Sequence, residues 1–78
     1  MSEIFTIPPI EKGIYQHYKG NKYEVLGVGC HTETEEYYVV YSLLEPKPGA
    51  PEIWLRPYEM FMETIEIDGV TTPRFKHL

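Results

Sequence analysis

Gly13-Ile14-Tyr15-Gln16-His17-Tyr18-Lys19-Gly20-Asn21-Lys22-Tyr23-Glu24-Val25 is the stretch on which the fold turns. Its aromatic and apolar residues stop at Lys19-Gly20-Asn21-Lys22, where Gly and Asn accept the positive φ of a tight hairpin turn, and then resume. The stretch reads as strand, turn, strand. The second strand extends to about His31, and Gly27 and Gly29 at alternate positions leave gaps on one face, which predicts curvature. Thr32 to Glu36 is a polar, acidic loop. Tyr37 to Leu44 is a strand apolar on both faces, so both must find cover. The proline-rich Glu45-Pro46-Lys47-Pro48-Gly49-Ala50-Pro51 is a surface loop. Ile53 to Arg56 forms a fourth strand that Pro57 ends, and Tyr58 to Phe61 has the length of one helical turn. Met62 to Ile67 then alternates as a fifth strand and leaves through Asp68-Gly69. Five short strands with one helical turn before the last is the element order of an SH3-like barrel. The expected fold is therefore all-β, a five-stranded SH3-like barrel over residues 13–78. It is preceded by an N-terminal arm over residues 1–12, in which Pro8-Pro9 fixes Ile4 to Ile10 as an extended arm or edge strand.

At 78 residues there is room for one core, and a domain of this size hides only about 60% of its unfolded surface. The chain has one cysteine, Cys30, so an intrachain disulfide is excluded and packing or a partner chain must hold the fold. Seven Tyr, three Phe and one Trp supply that packing, and the core is expected to be built of rings. Lys plus Arg is 7 against 12 Asp plus Glu, a net charge of −5, which speaks against a general grip on nucleic acid. No apolar run approaches a membrane span and the first residues carry no basic leader, so a soluble, cytoplasmic protein is expected.

Several blocks taken in order carry a resemblance. They are Gly13 to Gly20 with its His17-Tyr18-Lys19-Gly20 core, then Tyr23-Glu24-Val25, His31 with Thr34, Val39-Val40-Tyr41, and Trp54-Leu55-Arg56-Pro57 with Met60-Phe61 and Glu63-Thr64. The chain from about Gly13 to Phe75 resembles the bacterial domain-of-unknown-function family 1653. That resemblance implies a small β-barrel in a prokaryotic, intracellular setting and carries no established activity. Cys30, where the family pattern has a small residue, and the long proline-rich loop depart from it.

His17 and His31 near Cys30 invite a metal or nucleophile reading. Consecutive residues of a regular strand point to opposite faces, so Cys30 and His31 cannot both ligate one ion, and no CxxC or HxxxH accompanies them. No metal or cofactor is expected, and Cys30 reads as a small buried apolar residue. With a two-residue turn at Gly20-Asn21, Tyr18 would lie opposite Tyr23 and His17 opposite Glu24; a one-residue change would put His17 opposite Val25. Glu33, Glu35 and Glu36 read as a solvated acidic turn. Tyr37, Tyr38 and Tyr41 read as core with hydroxyls reaching solvent.

Trp54 and Arg56, two apart, share a strand face, where Arg can stack on a ring and keep its donor fork free for a carboxylate or phosphate. The plainer alternative pairs Arg56 with Glu59 or Glu63. The expected function is a non-enzymatic binding or regulatory module that binds a peptide, a protein or a small anionic ligand in a groove of Tyr15, His17, Tyr41, Trp54 and Arg56. One rival is a small hydrolase on a phosphate or carboxylate compound, with His17 or His31 as general base and Arg56 stabilising charge. Another is an interaction domain whose exposed rings are covered in a homodimer or by an attached enzyme.

Overall fold

The hairpin at Gly13 to Val25 closes through a three-residue loop. In the computed structural model, which describes residues 6–78, the His17 amide donates to the Asn21 carbonyl at 2.8 Å and the Gly20 amide to the His17 carbonyl at 2.7 Å. Gly20 sits at φ +109°, the left-handed position that this loop type reserves for glycine. The longer loop changes the expected register. β1 (Gly13–His17) pairs with β2 (Lys22–Cys30) so that Tyr15 faces Tyr23 and Ile14 faces Glu24. His17 therefore stands opposite neither Glu24 nor Val25, and Tyr18 lies in the loop itself.

β3 (Tyr37–Leu43) continues the sheet beyond β2, and β4 (Trp54–Pro57) pairs with β3 at its edge. A bulge between Val25 and Gly27 breaks the β2–β3 register and bends the sheet where curvature was expected. Gly29 is a close approach, because a Cβ there would stand 3.3 Å from the Val40 side chain. Pro57 is the last residue of β4 and leads directly into α1 (Tyr58–Met62), the expected helical turn.

The chain then departs from the expected plan. β5 (Thr64–Ile67) does not join the sheet. It turns through Asp68 and Gly69, at φ 51° and 79°, and pairs with β6 (Val70–Pro73) in a separate two-stranded hairpin. After Arg74, β7 (Phe75–His77) crosses back and pairs with β1. The expected five strands are thus seven, in a five-stranded antiparallel sheet of order β4-β3-β2-β1-β7 and the β5-β6 hairpin. The outer strands β4 and β7 are not hydrogen-bonded to each other, so the sheet curls without closing as a barrel. The architecture is all-β with one helical turn.

Residues directly opposite in an antiparallel sheet project to the same side. One face thus collects Tyr15, Tyr23, Val25, Val39, Tyr41 and Phe75, and α1 lays Phe61 against it. Phe61 and Phe75 stack with ring centres 4.1 Å apart, and Tyr15, Tyr23 and Tyr41 meet one or both of them edge-on or tilted. This is the ring-built core the composition predicts, with Val39 fully buried. Residues 6–12 form no strand but lie against the sheet. Ile10 packs on the core, and the hydroxyls of Tyr15 and Tyr58 donate to the carbonyls of Glu11 and Pro9, each at 2.7 Å. Ile4 and Phe5 of the expected arm lie outside the described residues. Among the described residues no helix is long and apolar enough to cross a membrane.

Candidate functional site

The five residues proposed from the sequence project from one face. Tyr15 and His17 alternate along β1, Tyr41 stands opposite Trp54, and Arg56 stands opposite Val39. They differ in access. Tyr15 and Tyr41 are 6% and 4% exposed and belong to the core beneath the face, whereas Trp54 is 37% exposed and His17 and Arg56 are half-buried. The accessible part is thus Trp54, Arg56 and His17, over a floor of rings.

Phe75 joins them. The His17 ring meets it edge-on with centres 4.8 Å apart, and the Arg56 guanidinium carbon lies 5.4 Å from the same ring's centre, a contact worth about 0.5–2 kcal/mol depending on desolvation. Arg56 therefore reaches from the β4 edge toward the β7 edge across the open seam of the sheet. The plainer pairing does not occur. The carboxylate of Glu63 is taken by Arg74, and Arg56 has no carboxylate partner among the described residues. The Nε of Arg56 and the Nε of Arg74 are enclosed and have no hydrogen-bond acceptor among the described residues, which for a charged donor is a cost of at least about 1–3 kcal/mol.

Arg74 is the residue sequence reasoning missed. Its backbone ties three elements together: its amide donates to the Glu63 carbonyl at 3.0 Å and its carbonyl accepts from Tyr18 at 3.0 Å. A signal for it existed. Asp68-Gly69 is a two-residue turn, and continuing its register past Thr64 opposite Pro73 puts Glu63 opposite Arg74. Burial, and then the charges of Arg56, Arg74 and Lys19, hold the His17 imidazole below its ordinary value. Its Nδ1 accepts the Lys19 amide at 3.1 Å, so the neutral ring carries its proton on Nε2. The site therefore offers guanidinium and imidazole donors beside an exposed indole, and within it no acid answers Arg56.

The other candidates have different roles. His31 organises the acidic loop, its Nδ1 accepting the amides of Glu33 and Thr34, both at 3.2 Å. Cys30 is exposed, not buried as expected, because it ends β2 where cover runs out. Its thiol lies against the His31 carbonyl at 3.7 Å. Among the described residues no three His, Cys, Asp or Glu side chains come together as a metal site. Tyr37 and Tyr38 are half-buried.

The fold and site together define a small open antiparallel β protein with a ring core and a cationic patch on an acidic chain. The model of the family described as protein of unknown function (DUF1653) matches residues 13–77. The chain belongs to this family. It is similar to a crystal structure of a DUF1653 protein from Bordetella bronchiseptica, with 35% sequence identity and a TM-score of 0.79, over 88% of this chain and 87% of that one. No curated protein matches the sequence.

Proposed function

We propose that this protein is a binding module that receives an anionic group of a small molecule, peptide or protein on the face formed by Trp54, Arg56 and His17. One observation carries the reading. Arg56 is held over a ring with no carboxylate partner among the described residues, although acidic residues outnumber basic ones 12 to 7 in the chain. A free guanidinium beside an exposed indole suits a carboxylate or phosphate attached to something flat or apolar. Binding is preferred to hydrolysis because His17 presents Nε2–H, a donor, and its other ring nitrogen is engaged by Lys19. A general base needs a free lone pair facing the substrate.

The test is an amide NMR titration at low salt with inorganic phosphate, citrate and carboxylate-terminated aromatic peptides. Shifts are expected at the Trp54 indole and around residues 54–56. Arg56→Gln should weaken binding about tenfold or more, since charge-assisted hydrogen bonds contribute about 1.5–3 kcal/mol. No shift at these positions with any anion overturns the reading.

A second reading has its own support. Ile53, Trp54 and Leu55 are 49%, 37% and 61% exposed in succession, and β4 is an outer strand with one edge unpaired within its sheet. Such an edge is a template for pairing with a second copy. A mass that rises with concentration and falls on Leu55→Lys would favour that homodimer.

A further inference from the structure

A different surface carries charge of the opposite sign. Pro8 and Pro9 bias the chain before β1 toward an extended backbone. The Tyr58 hydroxyl holds that segment by donating to the Pro9 carbonyl at 2.7 Å. Beside it opens a depression of about 500 Å³ walled by Pro8, Tyr37, Pro57 and Tyr58, with Glu36 and Glu59 among its lining. Both glutamates are exposed and neither has a basic partner among the described residues.

We propose that this depression binds a proline-containing extended segment of a partner protein, bearing Lys or Arg, laid alongside the chain's own Pro8-Pro9 segment. Proline rings pack on tyrosine faces at little entropic cost because the ligand is already extended. Within the chain Tyr58 already makes a second contact suited to such a segment, its hydroxyl donating to the Pro9 carbonyl. The two glutamates supply charge complementarity to a basic side chain and reject an acidic one. The surface is separate from the Trp54–Arg56 face, so each stands or falls alone.

The experiment is an amide NMR titration of the full chain with a ten-residue proline-rich peptide carrying two arginines, and with the same peptide carrying two glutamates. Shifts confined to Tyr37, Tyr58 and their neighbours with the arginine peptide, and none with the glutamate peptide, are expected. Glu36→Gln with Glu59→Gln should keep the spectrum of the folded protein and weaken the arginine peptide about three- to tenfold, an effect that added salt reduces. Tyr37→Ala should weaken it further. Equal binding of both peptides, shifts at Trp54 and Arg56 only, or no shifts at millimolar peptide would overturn the proposal. Concentration-dependent shifts at Tyr37 without peptide would also overturn it, assigning the depression to a second copy, whose Pro46-Lys47-Pro48 loop has the required composition.

Discussion

The five-stranded sheet and the β5–β6 hairpin are both antiparallel β-structure, yet they are held by different forces. The sheet buries Tyr15, Val25, Val39, Tyr41 and Phe75 on one face under Phe61. The hairpin has no fully buried residue, and Ile67 and Val70 are 40% and 63% exposed. Two-stranded hairpins are marginal alone in water, so this one depends on its turn and on its tie to the sheet. That tie is Arg74, bonded to Glu63 on one side and to Tyr18 on the other. Local turn chemistry has shaped an element that it cannot stabilise by itself.

The largest test of the contrast is in the ring stack. Phe61→Ala or Phe75→Ala should each cost about 3–5 kcal/mol, measured by urea unfolding. Because the rings stack on each other, the double variant should lose less than the sum. A loss below about 1 kcal/mol for either would mean that the sheet does not rest on this cluster. In the hairpin, Gly69→Ala forces a side chain into φ 79° and should cost about 1–2 kcal/mol locally. Hydrogen exchange should then quicken at β5 and β6 and stay unchanged at Val25 and Val39. Equal acceleration in both regions would show the hairpin to be part of one cooperative unit with the sheet.

The same division governs what the sequence discloses. Alternating rings, the glycine gaps and the Pro57 helix start were legible because each is written within a few residues. So was the shared face of Trp54 and Arg56, which follows from their spacing alone. The register of β1 on β2 was not, because Gly20 serves equally in a two-residue or a three-residue loop and only the hydrogen bonds at His17 decide between them. β6 and β7 escaped notice because Val70-Thr71-Thr72-Pro73 carries little apolar alternation and Phe75 is the only buried residue of β7. The candidate site was half legible: Arg56 and His17 were named, but which acid would be taken by which arginine is a long-range outcome.

The smallest expected effect lies where the two regions meet, at His17. In the unfolded chain its imidazole titrates near about 6.5. In the fold, burial and the charges of Arg56, Arg74 and Lys19 make it titrate lower. Between those points the unfolded chain binds a proton that the fold does not, so stability falls as the pH is lowered through the ordinary histidine range. The loss levels off once the folded form is protonated as well. His17→Gln should remove this part of the slope, read as the difference in urea midpoint between pH about 7.5 and about 5 for the two proteins. Protonation places a third cation beside Arg56 and Arg74, and Arg74 carries the hairpin. Protection of the Arg74 amide, after correction for the intrinsic slowing of exchange in acid, should therefore fall before protection of Val39 does. Parallel slopes in the wild type and His17→Gln would show that this ring titrates alike in the folded and unfolded chains, so that neither burial nor the neighbouring cations act on it. A bound phosphate or carboxylate should raise the His17 titration point, which gives the Arg56 site a second readout that is independent of chemical shifts at Trp54.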